Sequence, residues 1–399
     1  MPSPFKVNEA RTLNALFRHG PQTRAELARI LDLTRSTAGN LVQSLIDSGH
    51  VQERPGLGDV GSRVGRPGVS VEIRSGGAYF IGAEIGVDRI EALAIDLAGE
   101  VCVSAERPHA GASSEPADTV QATRNLIRDV ASRLPPGATV HGFSVAVPGF
   151  PDASGGLCQA TGLGWHDVPL ADLLSDEFGA ERPFLVENDA NAFAVAETYR
   201  WTGEDHGPED VLVVLLENGV GGGIINGGRL HRGLLGGAGE IGHIPVGGEG
   251  FLFDGRRPGR WESYIGKDAI LARDAHRRGA TPRTLAAFLD ALGRGEANAL
   301  DTAREWGTWL ARGLATATSI LQPQRIILGG SVAPVFDAVS VEVRQQVAAS
   351  LIDGYPVPMI QATRPGEGRP ALGAAFLLHQ SMLTGADAAA RSDRDERVA

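Results

Sequence analysis

The chain has 399 residues, room for two or three domains of ~100–200 residues each, and its 42% hydrophobic and 21% charged content excludes wholesale disorder. No apolar run approaches the ~20 residues that span a bilayer, and no basic-then-apolar signal segment opens the chain, so a cytoplasmic protein with no membrane partner is expected. Two cysteines, Cys102 and Cys158, exclude a disulfide framework and any multi-cysteine zinc site.

Charge is uneven. Residues 1–75 carry ten Lys/Arg against seven Asp/Glu, a surplus of three in a chain of net −11, so the remainder carries −14. A mildly basic head on an acidic body fits a small nucleic-acid-binding unit joined to something else.

In the head, Leu13, Leu16 and Phe17 mark a helix over 8–18, ended by Gly20-Pro21. Thr23 and Glu26 form a capping box for a second helix bearing Leu27, Ile30 and Leu31. Thr34 caps a third, in which Ala38, Leu41, Val42 and Leu45 repeat at helical spacing. Its opposite face carries Ser36, Asn40 and Gln43, flanked by Arg35 and Thr37, side chains able to bond phosphates and base edges. A strand from Val51, a loop over 56–68 and a strand over 69–73 complete a wing, whose Arg63 and Arg66 suit phosphates or a minor groove. Residues 1–75 therefore read as a winged helix-turn-helix that binds a DNA operator.

From residue 78 the pattern changes to strands over 78–86, 89–97 and 100–107, a helix over 116–134, a strand over 139–147, a helix near 168–179, a strand over 183–187 and a helix from 189. A second lobe begins with the strand 210–216 and continues through glycine-rich hairpins to a strand over 325–330 and a last helix from Ala371. Three antiparallel strands followed by αβα, used twice, is the layout of the two-lobed actin-like, ribonuclease H-like sugar-kinase fold. The expected divisions are 1–75 for the head, 76–200 and 201–383 for the lobes, and 384–399 for a solvated tail. Ligands of such a fold sit between the lobes.

Three motifs carry chemistry. In "VENDANAFAVAE" (186–197), Asn188-Asp189 closes a strand and opens a helix, where the carboxylate could engage a substrate hydroxyl or simply cap the helix. In "NGVGGGIINGGRL" (218–230), Gly219, Gly221 and Gly222 could let amides approach a phosphate, or let a hairpin turn tightly. In "GLLGGAGEIGHIPV" (233–246), Glu240 and His243 stand three apart, and Glu262 follows in "GRWESYIG"; carboxylates and an imidazole bond paired sugar hydroxyls directionally.

In this order and spacing the three motifs resemble the ROK family of repressors, open reading frames and sugar kinases, over about residues 78–380. The "GAGEIGH" run is the most specific part, and the winged head matches the family's regulator branch. The resemblance implies that Asn188, Asp189, Glu240, His243 and Glu262 bind a sugar, with Thr161 in "CQATGLGW" near a further contact, and that Asp189 is the base in kinase members.

The chain departs from the family twice. Members usually hold a structural zinc with one His and three Cys, in a segment C-x-C-G-x-x-G-C-x-E. Here the segment is "FLFDGRRPGRWE" (251–262), without cysteine and one residue longer, so no zinc is expected, and Phe251, Phe253 and Trp261 are candidates for a hydrophobic substitute. The kinase phosphate motif D-x-G-G-T is "AEIGVDR" (83–89), with Glu84 and Asp88 at the altered positions, and Glu217-Asn218 precede the second glycine run. Carboxylates facing a triphosphate repel it. The expectation is a sugar-responsive regulator, a homodimer or homotetramer with no cofactor and no catalytic residue. The alternatives are an ATP-dependent sugar kinase that kept a head and uses Asp189, and a regulator that docks a phosphotransferase-system protein.

Overall fold

Pro4 opens the first helix, Pro4–His19, where its fixed φ suits the first turn and its missing N–H costs nothing. This is four residues earlier than the apolar spacing indicated, because the first turn buries no leucine that would have marked it. The computed structural model describes residues 4–55, 69–151, 157–178, 182–200, 209–234, 236–248, 259–364 and 369–385.

In the second helix, Arg24–Leu31, the capping box is complete: Thr23 Oγ1 accepts from the Glu26 amide at 3.2 Å, and Glu26 accepts from the Thr23 amide at 2.7 Å. Asp32 turns the chain with a φ of 56°, and Thr34 caps the third helix, Arg35–Asp47. Leu27, Leu31, Ala38, Leu41, Val42 and Leu45 are buried together with Leu13 and Leu16. The wing strands Val51–Pro55 and Val69–Ile73 pair antiparallel, and Gln22–Thr23 adds a short edge against Ser70 and Val71. Arg63 and Arg66 lie outside the described residues.

The body contains the same sheet twice. In the first, the strand order is 184–188, 140–147, 79–85, 89–96, 101–108. The first two junctions are parallel and the last two antiparallel. In the second, the order is 229–230, 220–226, 211–216, 325–329, 359–362, with two antiparallel junctions followed by two parallel. Alternation is lost on the central strands because both faces are covered: all six residues of Val211–Leu216 are buried. Trp261, Phe288, Trp306, Leu310, Leu314 and Phe336 anchor the second core; Phe143, Val145, Leu126, Ile127 and Trp165 anchor the first.

The chain divides into two units, which differ from the sequence boundaries in two helices. One unit comprises 1–188, 199–206 and 371–399; the other comprises 189–198 and 207–370. The last helix, Pro370–Thr384, thus belongs with the first sheet rather than with the second lobe. Gly82 makes this possible: a Cβ there would lie 2.0 Å from the Ala371 carbonyl oxygen. The helix Asp189–Thr198 belongs with the second sheet for a similar reason, since a Cβ at Gly223 would lie 2.4 Å from that of Ala194. Neither packing leaves a periodic trace in the helix that moves, because small residues make it. The expected tail falls beyond 385, outside the described residues.

Within the first unit the head is fastened to the body by rings. Phe17 stacks on Tyr199 at 5.4 Å between centroids, and Arg18 lies over the same ring and donates to the Tyr199 carbonyl at 3.1 Å. The Tyr199 hydroxyl is 2.9 Å from His379 Nδ1, and His379 Nε2 is 2.9 Å from the Leu97 carbonyl. The carbonyl can only accept, so Nε2 carries the proton and Nδ1 accepts from tyrosine. Burial pushes the His379 imidazole down to about 4, so it is neutral at pH 7. All the ring's polar atoms are thereby satisfied in an otherwise apolar joint.

Replacing Gly82 by Val forces the last helix off the sheet. The expected cost is at least ~2 kcal/mol, in the upper range for overpacking, seen as a lower urea midpoint; an unchanged midpoint would mean that this close approach does not hold the helix.

Candidate functional site

The second unit gathers four acidic side chains and one imidazole. Asp189 begins its helix and accepts from the Ala190 amide at 2.8 Å. The Gly239 carbonyl lies where a Cβ at Gly222 would be 2.7 Å away, so the loop before Glu240 presses on the strand 220–226. Glu240 leads into the 3-10 turn Ile241–His243. His243 Nε2 is 3.3 Å from Glu240 Oε2, and its Nδ1 is 3.7 Å from Glu262 Oε1 and accepts from Arg260. Glu262 opens the short helix Glu262–Ile265, fixed beneath by Trp261, which is fully buried and donates from Nε1 to the Trp309 carbonyl at 2.9 Å.

These carboxyls perturb one another. Burial, with the charges of Glu217 and Glu240 adding to it, pushes Asp189 up to about 7 against the pull of the Ala190 amide. Burial and the charge of Glu262 push Glu240 up to about 7. Glu240 keeps 36% of its side chain exposed, so water softens its shift, and the more enclosed Asp189 is the firmer case. A pair of carboxyls poised near neutrality can accept from, or donate to, the hydroxyls of a polar ligand.

The other expected residues fall differently. Asn188 ends its strand in the first unit, with its side-chain amide donating to the Gly149 carbonyl at 3.1 Å. Thr161 begins a 3-10 turn, Thr161–Leu163, in that same unit. Gly221 and Gly222 are not a phosphate loop. They lie inside the strand Val220–Asn226: a Cβ at Gly221 would lie 2.7 Å from that of Ala190 and one at Gly222 would lie 2.7 Å from the Gly239 carbonyl, so Gly221 makes room for the Asp189 helix and Gly222 for the loop before Glu240. Gly219 alone sits in the turn, its Cβ position 3.7 Å from Glu262 Oε2. Phe251 and Phe253 are outside the described residues.

The altered kinase positions are occupied by internal partners. Glu217 accepts from the Ser331 amide at 2.7 Å and the Ser331 hydroxyl at 2.5 Å, on a turn where Gly330 has a φ of 88°. In the first unit, Glu84 stands opposite Glu91 across neighbouring strands, with Arg89 3.8 Å from each.

On the head, Arg35, Ser36, Asn40 and Gln43 are exposed along the third helix. Thr37 is half-buried, with its hydroxyl 2.8 Å from that of Thr34 and its amide donating to Thr34 Oγ1, so it serves the cap. Gln43 donates to Asp47 at 2.9 Å. The spacing had located this face; it could not show that Thr37 is committed to the cap. Arg260 was missed altogether, although it stands where the last cysteine of the family's zinc segment falls.

A model of the ROK family matches residues 80–381, and the chain belongs to that family. A model of the MarR family matches residues 3–59. The xylose repressor of Bacillus spizizenii is 26% identical over 386 residues, which cover 95% of this chain and 96% of that protein. The glucokinase of Streptomyces coelicolor is 29% identical over 320 residues, 75% of this chain and 97% of its own. Among solved structures, a ROK family transcriptional regulator, a homolog of the E. coli MLC protein, shares the fold with a TM-score of 0.77 at 20% identity, over 97% of this chain and 99% of that one. A ROK family glucokinase from Streptomyces griseus, in complex with glucose and AMPPNP, matches at 0.64 and 29% identity, over 75% and 98%. The chain therefore joins a winged helix-turn-helix to a two-lobed ROK body. Among the described residues no helix is long and apolar enough to cross a membrane.

The raised carboxyls predict a pH signature. Folded Asp189 and Glu240 hold protons to about pH 7 and the unfolded chain only to the ordinary carboxylate range, so between those limits the folded state binds more protons and its stability falls as pH rises. Asp189→Asn and Glu240→Gln should raise the melting temperature by a few degrees, more at pH 8 than at pH 5; equal effects at both pH values would refute the shifts.

Proposed function

We propose that this chain is a sugar-responsive transcriptional repressor of carbohydrate-metabolism genes. The observation that carries the proposal is the exposed polar face of the third helix, Arg35, Ser36, Asn40 and Gln43, on a chain whose body is a ROK domain. Asn40 and Gln43 read base edges in the major groove, Arg35 and Ser36 hold phosphates, and Arg63 and Arg66 of the wing reach the adjacent backbone or minor groove. A homodimer or homotetramer places two heads on a palindromic operator.

The effector is a monosaccharide held by Asp189, Glu240, His243 and Glu262 of the second unit. The full-length similarity to a xylose repressor makes D-xylose the first candidate and the similarity to glucokinases makes D-glucose the second. The effector acts only through its differential affinity for the DNA-competent and incompetent states, typically ~1–3 kcal/mol. A physical route supports such coupling: the helix that starts at Asp189 runs directly into Tyr199, the residue against which Phe17 and Arg18 of the head pack.

The kinase alternative keeps Asp189, but Glu217 accepts from the Ser331 amide, and Asp88 adds a carboxylate where the kinase phosphate motif has threonine. Phosphoryl transfer depends on neutralising that charge.

Gel shifts against an operator selected from random duplexes, paired with calorimetry on D-xylose and D-glucose, test the proposal. Asn40→Ala should weaken operator binding ~5–100-fold, the ~1–3 kcal/mol of one base contact, and leave sugar affinity intact. Glu240→Ala should abolish sugar-driven release and leave DNA binding intact. Tyr199→Phe, which strips His379 Nδ1 of its donor, should preserve both affinities and shrink their coupling. A chain that ignores sugars on DNA but turns over ATP with them, and loses this activity in Asp189→Asn, is a kinase and sinks the proposal.

A further inference from the structure

The ROK zinc segment implies a metal on the loop that precedes Glu262, and the residues present do not fit one. A closed zinc site takes about four nitrogen or sulfur ligands. Of the two cysteines in the chain, Cys102 is exposed on a strand of the first unit and Cys158 lies on another strand of that unit. Among the described residues no group of three or more His, Cys, Asp or Glu could hold a metal ion. At the position of the segment's last thiolate stands Arg260, and its guanidinium contacts His243 Nδ1.

We propose that Arg260 replaces the metal as the positioning residue of His243, fixing the imidazole tautomer that presents Nε2–H to a sugar hydroxyl. The chemistry follows from donor and acceptor roles. A guanidinium only donates, so the Nδ1 it faces must offer a lone pair, and the proton of the neutral ring resides on Nε2. Nε2 is the atom 3.3 Å from Glu240 Oε2. His243 and Glu240 then form a donor–acceptor pair matched to a hydroxyl, which both donates and accepts. A cation bound at one ring nitrogen imposes the same result on the other, as outer partners of metal-bound histidines do.

Arg260 is held for this task from both sides. Its neighbour Trp261 is fully buried, and a Cβ at Gly313 would lie 2.0 Å from that indole. The Pro245–Arg260 bridge, with Val246 N donating to the Gly259 carbonyl at 2.9 Å, ties the segment to the turn that carries His243. Gly259, with a φ of 82°, allows the chain to enter that bridge.

The sugar role of His243 rests on the function proposed above, so the test includes arms independent of it. Full-length protein purified without chelator should contain far less than one zinc per chain, and EDTA should not move its melting temperature; stoichiometric zinc whose removal destabilises the chain would overturn the replacement. Long-range proton–nitrogen spectra of histidine-labelled protein, assigned through His243→Gln, should show the Nε2–H tautomer in the wild type and in Arg260→Lys, and a mixture in Arg260→Met. A wild-type tautomer in folded Arg260→Met would overturn the positioning role. Affinity for D-xylose or D-glucose should fall ~5-fold in Arg260→Met, about the net contribution of one typical hydrogen bond, and recover in Arg260→Lys. If the wild type binds neither sugar, the effector assignment fails while the spectra still decide the role of Arg260.

Discussion

The contact on which the candidate site depends is a backbone approach: the helix 189–198 lies on the strand 220–226 so closely that side chains on the strand would collide with Ala190 and Ala194. Glycine is used there for the space a missing Cβ leaves, not for its φ freedom. Because the approach is close, Asp189 is carried to the same unit as Glu240 and feels the charges of Glu217 and Glu240. Loosening that contact would let water between the carboxyls and return them to ordinary acidity. Packing and electrostatics are therefore one property of this site.

The same economy of side chains joins head to body. Phe17, Tyr199 and His379 meet in a joint whose polar atoms are all used internally, so the joint can be dry. A dry, satisfied contact has few alternative arrangements, because any shift would leave one of its polar atoms unpaired. Tyr199 directly follows the Asp189 helix in the chain.

Where the sequence departs from the kinase and zinc motifs, charged side chains meet internal partners. Glu217 satisfies the amide and hydroxyl of Ser331, and Arg89 sits between Glu84 and Glu91. Arg260 stands on His243 in the metal segment. In each case the charged side chain is paired within the chain, and removing it would leave polar groups unpaired.

Periodicity and capping chemistry located the elements of the head and most of those of the first sheet, because the cap of the second helix, the alternating and buried strands and the apolar stripes are local features written into neighbouring residues; the helices between 262 and 350 and the strand 359–362 were not placed individually. Family motifs likewise picked out Asp189, Glu240, His243 and Glu262. What local pattern cannot encode is which surface a helix of small residues will choose, so the last helix was assigned to the wrong sheet, and Gly221 and Gly222 were offered as a phosphate loop or a hairpin turn rather than as strand positions that make room for a helix and a loop. Nor could spacing show Thr37 spent on a cap or Arg260 on an imidazole. The sequence by itself determined the elements and the chemical types present, since these follow from bonds between near neighbours. Only the tertiary structure decided which glycines make room, which carboxyls share a site and which cation orients the histidine, since those depend on distances between residues far apart in the chain.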